Sequence, residues 1–183
     1  HDLTLHFFPG KRMNTLLHRL AYHAVIRRVT RQAKKIIAVS NHTKRDLVRV
    51  LGLPSEKIEV IYHGISPQFS GAAPTPRTEL MQKLGLNRPY FLYTGVWREH
   101  KNVAGMIRAF AAFNAETGRQ YDLVITGKFN PSYPEIPRAV EELKLQDHVK
   151  FTGIVAEEDL AALYRHAVAY VFPSFYEGFG FPP

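Results

Sequence analysis

Six short apolar runs, rich in β-branched and aromatic residues, alternate with segments of helical period along this chain. They lie at residues 36–39, 58–62, 90–93, 123–126, 149–151 and 168–172. Runs of this length, separated by stretches of ten or more residues with apolar positions three to four apart, read as buried parallel strands joined by crossover helices. That alternation excludes a helical bundle and an antiparallel sandwich. The helices are expected near 12–33, 41–51, 77–84, 102–114, 135–145 and 156–166. Leu16, Leu20, Val25 and Val29 carry the helical period of the first. Ser40 or Asn41 caps the second, which Gly52 and Pro54 close, and Gly85 closes the third. Residues 66–77 hold Ser66, Pro67, Ser70, Gly71, Pro74 and Pro76 with no apolar period, and this stretch reads as a linker between two α/β units. Open sheets of this kind bind ligands at the carboxyl ends of their strands, so the loops that follow residues 93, 126, 151 and 172 are where function is expected.

Composition narrows the class further. The chain has 183 residues, 45% of them hydrophobic, enough for a sizeable core. It has no cysteine, which excludes disulfides and thiolate metal sites and fits a cytoplasmic setting. No apolar run approaches the roughly 18 residues of a membrane-spanning helix. The net charge of +8 is unevenly placed: residues 1–70 carry 12 Lys+Arg against 4 Asp+Glu, and the remainder is balanced. Arg19, Arg27, Arg28, Arg31, Lys34 and Lys35 cluster in and just after the first helical stretch. Such a cluster is either a solvated helix face or a contact for an anionic membrane, a phosphorylated acceptor or nucleic acid. No ladder of aromatic residues accompanies it, so nucleic acid is not expected as a partner. Glu157, Glu158 and Asp159 suggest metal ligands at first sight. They open a helix, where acidic side chains complement the dipole, and no metal site is expected there.

The most specific string is residues 174–183, Ser-Phe-Tyr-Glu-Gly-Phe-Gly-Phe-Pro-Pro, directly after the last apolar run. Glycines there let the backbone approach a ligand, and Glu177 can accept hydrogen bonds from hydroxyls. The same residues also suit a glycine-rich turn with a solvated glutamate. A second loop, Gly95-Val96-Trp97-Arg98-Glu99-His100-Lys101-Asn102, joins a strand to the N-terminus of a helix, where anions bind. Arg98 and Lys101 are its cations, suited to a phosphate or to a surface turn.

The 174–183 string resembles the signature of the group 1, family 4 glycosyltransferases, retaining enzymes of the two-domain GT-B fold, and the resemblance runs over nearly the whole chain. It implies an α/β protein of two Rossmann-like units with parallel sheets. Residues 1–65 resemble the end of the N-terminal, acceptor-side unit, with Ala38-Val39-Ser40-Asn41-His42-Thr43-Lys44 similar to its serine-led helix start; residues 66–76 form the linker; residues 77–183 resemble the donor-binding unit. The signature's second glutamate falls at position 185, and the chain opens on His1 rather than methionine, so it reads as an internal fragment with both units incomplete. Tyr62-His63-Gly64 departs from the Pro-Asn-Gly more common in the family.

What the resemblance implies about chemistry follows residue by residue. Glu177, with the backbone of Gly178, Phe179, Gly180 and Phe181, would hold the hydroxyls of the transferred sugar. Arg98 and Lys101 would stabilise the departing nucleoside diphosphate without a metal, although many members carry the arginine where this chain has Val96. His1, in a His-Asp segment, would lie against the sugar, and Gly95, Lys128 and Ile154 would line the nucleotide. No side chain acts as nucleophile; the leaving phosphate itself deprotonates the acceptor in a front-face reaction. The expected activity is retaining transfer of a sugar, with GDP-mannose as the expected donor, to a saccharide or lipid-linked acceptor in surface polysaccharide or glycolipid synthesis. No cofactor is expected. The expected place is the cytoplasm, at the inner face of the membrane. A sugar-nucleotide-binding protein without activity and a basic membrane- or nucleic-acid-binding module stay open as alternatives. The 183 residues alone are expected to bind a nucleotide sugar weakly and turn over little; a transfer assay that found robust activity would contradict this.

Overall fold

A computed structural model describes residues 2–10, 13, 15–65 and 75–180. The described chain divides into two compact units. The first holds the described residues of 1–64 together with those of 176–181, and the second those of 65–175.

The first unit opens with a short helix α1 (Thr4–Phe7), which the sequence period does not announce, and continues through α2 (Leu16–Gln32), β1 (Ile36–Ala38), α3 (Asn41–Leu51) and β2 (Ile58–Val60). Thr15 caps α2, accepting from His18 N–H, so the helix begins four residues after the expected start. Strands β1 and β2 pair in parallel, Ile36 opposite Ile58 and Ala38 opposite Val60. The ladder runs one step further, with Ile61 N–H donating to Ala38 O at 3.0 Å. Helix α3 packs on both strands. Ser40 is its cap, its hydroxyl accepting from Thr43 N–H at 3.1 Å, and Gly52 ends it in the left-handed conformation. Leu3, Ala38, Leu47, Leu53 and Ile58 make the core, with Ile26 packed against it. Of α2 only Thr30 is buried; Leu16, Leu20, Val25 and Val29 are exposed. Their spacing foretold a helix, but only contacts decide which face a helix buries.

In the second unit the order is α4 (Arg77–Leu84), β3 (Tyr90–Thr94), α5 (Val103–Glu116), β4 (Asp122–Thr126), α6 (Glu135–Glu142), β5 (Val149–Gly153), α7 (Glu157–His166) and β6 (Ala169–Tyr170). Its four strands are parallel, in the order β5-β4-β3-β6. Alternation along the central strands serves two cores. Phe91 and Tyr93 of β3 and Leu123 and Ile125 of β4 face one, with Val103, Met106, Ile107 and Phe110 of α5 and Ile136, Ala139 and Val140 of α6. Tyr90, Leu92 and Val124 face the other, with Leu80 of α4 and Ala162 and Leu163 of α7. Helices therefore cover both faces, and β4 is buried at every residue, which is why it reads as an uninterrupted apolar run rather than an alternating one. Burial pushes the Tyr90 phenol up to about 12, and its hydroxyl donates to Leu163 O at 3.0 Å. The last strand is shorter than the expected 168–172. Hydrogen bonds from Val168 N–H to Tyr90 O and from Val171 N–H to Leu92 O, both 2.8 Å, flank its two paired residues. Phe113 sits at the rim of the first of these two cores, 39% exposed, its ring 5.3 Å from that of Phe91.

Asp159 opens α7 as a buried acid. Lys83 Nζ donates to it at 2.6 Å and the Thr75 hydroxyl at 3.2 Å, and that pairing holds the Lys83 amine above its ordinary pKa. Asp122, also buried, accepts from Arg88 at 3.1 Å. Among the described residues no group of three or more His, Cys, Asp or Glu could hold a metal ion, and no helix is long and apolar enough to cross a membrane. Most of the linker expected at 66–76 lies outside the described residues.

Gly127 ends β4 at φ 125°, and a Cβ built there would collide with Gly95 O. Both facts oppose any side chain. Gly127→Ala is expected to cost about 2 kcal/mol or more of stability, read from the midpoint of denaturant unfolding.

Candidate functional site

Parallel strands carry their carboxyl ends to one side, and in the second unit that brings three loops to one edge. Gly95 follows β3, Gly127 follows β4 and Gly153 closes β5. Gly95 N–H donates to Thr126 O at 3.2 Å, and Gly127 N–H to Gly153 O at 2.8 Å. The missing side chain of Gly127 is what lets the β4 loop lie against the β3 loop. The result is a backbone ledge along the carboxyl edge of the sheet, whose close approach at Gly127 only glycine fits.

The β3 loop then shapes the start of α5. Trp97 is buried, 5.1 Å from the Phe129 ring and 5.3 Å from the Phe151 ring, and Asn130 Nδ2 donates to its carbonyl at 3.3 Å. His100 is buried as well, and its carbonyl accepts from Phe175 N–H at 2.8 Å. The segment Glu99–Lys101, which holds His100, makes one 3-10 turn, with Arg98 extended and exposed ahead of it. Lys101 follows, half-buried, its Nζ 5.9 Å from the centre of the Phe172 ring on the neighbouring strand-end loop. Asn102 turns the chain through the left-handed conformation at φ 52° and delivers it into α5. Its side chain donates to Pro173 O at 3.3 Å, tying the β3 loop to the chain beyond β6. Fourteen-residue α5 thus presents its positive dipole end beside the cation Lys101.

Gly95, Arg98, Lys101, Lys128 and Ile154 are therefore all on strand-end loops of one sheet edge, Lys128 and Ile154 exposed. Glu177, Gly178, Phe179 and Gly180 belong to the first unit. Gly178 is buried, and the Ser40 hydroxyl and the Thr43 hydroxyl both donate to its carbonyl, the latter at 2.9 Å. His1 and Phe181 lie outside the described residues. Sequence reasoning passed over Asn102 and Pro173. The signal for Asn102 was its place before a helix start, where asparagine both caps and tolerates positive φ.

A family model of glycosyl transferases group 1 matches residues 76–183, and one of Glycosyltransferase Family 4 matches residues 2–69. The chain belongs to the group 1 glycosyltransferases. It is similar to O-antigen chain mannosyltransferase B of Escherichia coli, 30% identical over 151 residues, covering 82% of this chain and 40% of the relative. It is also similar to O-antigen chain mannosyltransferase RfbU of Salmonella typhimurium, 26% identical over the whole of this chain and 46% of the relative. It thus spans less than half the length of these two relatives. Among solved structures, sucrose-phosphate synthase of Thermosynechococcus elongatus superposes with a TM-score of 0.76 at 23% identity, over 98% of this chain and 44% of that one. The lipopolysaccharide glycosyltransferase WaaG does so at 0.75 and 22%, over 91% and 45%. These likenesses show an α/β fold of the GT-B type.

Within this glycosyltransferase fold the Asn102 turn separates two effects of one residue. Asn102→Gly keeps the left-handed backbone and loses only the side chain, whereas Asn102→Ala strains it too. The alanine variant is expected to lose about 1 kcal/mol more stability than the glycine variant, measured by thermal unfolding of both.

Proposed function

We propose that this chain supplies the donor-binding edge of a retaining glycosyltransferase that moves a hexose from a nucleoside diphosphate sugar to a saccharide or lipid-linked acceptor. Breaking the glycosidic bond puts new negative charge on the diphosphate. The observation that carries the reading is the sheet edge where the Gly95, Gly127 and Gly153 ledge meets the open N-terminus of α5, with Lys101 beside it. The N-terminal N–H groups of α5, its dipole and the neighbouring cation Lys101 are the parts such a leaving group requires, and no metal enters the scheme. Arg98, exposed on the same loop, is the second cation. Lys128 and Ile154 line the nucleotide. The family resemblance gives Glu177, with the backbone of residues 178–180, the role of holding the sugar hydroxyls.

With no nucleophilic side chain in the scheme, the departing phosphate takes the acceptor's proton, so rate comes from positioning and from stabilising the leaving group. Mannose is the favoured sugar, because relatives bear the name mannosyltransferase. A solved neighbour of 22% identity, the Anabaena protein HepE, was captured with UDP and glucose, which keeps uridine nucleotides in the test beside GDP-mannose. Arg27, Arg28, Arg31, Lys34 and Lys35 are exposed, which supports a peripheral contact with an anionic membrane at its inner, cytoplasmic face.

Calorimetric titration of GDP-, UDP- and ADP-sugars into the full-length protein is expected to show one tight nucleotide class. Lys101→Ala should weaken that binding about tenfold and Glu177→Ala should weaken the sugar-dependent part by a similar factor. No binding by any of the three classes would overturn the reading.

A further inference from the structure

Residue 177 is held from both sides by groups of the first unit. On one side, the Tyr176 hydroxyl donates to Asp46 Oδ2 at 2.7 Å. Asp46 is a buried acid on α3, 3% exposed, and it is itself oriented: Arg49 donates to its Oδ1 at 3.0 Å, and His42 Nε2 lies 3.3 Å from Oδ2. The Tyr176 ring fills the space between the rings of Phe7, 4.9 Å away, and His42, 5.4 Å away. Burial first, and the bond to Asp46 second, raise the Tyr176 phenol above its ordinary pKa, so the hydroxyl stays protonated and donates. On the other side, Ser40 and Thr43, the cap of α3 and the residue it caps, donate to Gly178 O. A Cβ on Gly178 would collide with Asp2. One residue on, the Phe179 ring meets those of Tyr62 at 6.1 Å and His63 at 5.2 Å.

We infer that Asp46 is a positioning residue: through Tyr176, and together with the Ser40 and Thr43 hydroxyls, it fixes the backbone that carries Glu177. The role as a sugar-holding residue that this serves rests on the function proposed above. Two fixed points flanking one residue leave its backbone little freedom, so Glu177 is presented in one direction before any ligand arrives. A ligand that meets a preset group loses less conformational entropy on binding than one that must order a glycine-rich loop. Asp46 is an unusual residue to find buried on a helix four positions from its neighbour His42 unless it has donors, and one of its donors comes from a loop 130 residues away in sequence.

Tyr176→Phe removes the hydroxyl and keeps the ring in its place. Asp46→Asn keeps the shape and removes the charge. Each would be measured in the full-length protein by amide hydrogen exchange over residues 176–180 and by affinity for the nucleotide sugar it binds best. Tyr176→Phe is expected to speed exchange of those amides about tenfold, to weaken sugar-nucleotide binding by a similar factor, and to leave affinity for the corresponding free nucleoside diphosphate unchanged. The effects of the two substitutions on exchange should be less than additive in the double variant, because both act through the bond that Asp46 and Tyr176 share. Unchanged exchange at 176–180 in Tyr176→Phe overturns the inference. So does weakening of free nucleoside diphosphate and sugar nucleotide alike, which a general loss of structure would produce. If the unsubstituted protein binds no sugar nucleotide, the proposed function fails, and the exchange measurement still decides whether Asp46 orders the loop.

Discussion

The second unit depends on the parallel pairing of β3 with β4, five residues against five, sealed on both faces. Because every residue of β4 is buried, each of its backbone polar groups must find a partner inside the sheet. The in-register ladder supplies those partners, and α5 and α6 on one side and α4 and α7 on the other supply the apolar cover. Once that pair is in register, the ends of its strands are fixed to within a residue. The loops that follow have nowhere to go except along the same edge.

That edge is where fold becomes chemistry. Gly127 must be small for the β4 loop to lie on the β3 loop, and Asn102 must adopt positive φ for the β3 loop to enter α5. Each costs conformational freedom or strain that packing offsets. What they produce is a glycine edge that leads into the N-terminus of α5, with Lys101 Nζ over the Phe172 ring. Preset dipoles of this sort need no rearrangement when charge appears, which is the property leaving-group stabilisation requires.

Buried acids show how the same residue type serves different ends. Asp159 and Asp122 are paired with Lys83 and Arg88 and tie helix and strand ends inside the second unit. Asp46, equally buried, takes a phenol from a glycine-rich loop as one of its donors. Burial alone does not distinguish the structural acids from the one that orders a loop; the identity of the donor does.

Much of this was legible in the residues themselves. The alternation of short apolar runs with helical periods foretold six strands and the parallel sheets, and Ser40, Gly52 and Gly85 marked helix ends that the structure reproduces. The strand-end loops bearing Gly95, Lys101, Lys128 and Ile154 could be placed on one edge because a parallel sheet puts all its carboxyl ends on one side. The period of α2 was equally legible, yet its leucines and valines are exposed, since periodicity says that a face exists and not what covers it. Local sequence therefore determined the elements, their order and the family, because those follow from spacing and turn chemistry. Tertiary structure alone decided that Asn102 reaches Pro173 and that Tyr176 reaches Asp46, because such bonds join residues 71 and 130 positions apart and leave no periodic trace in either segment.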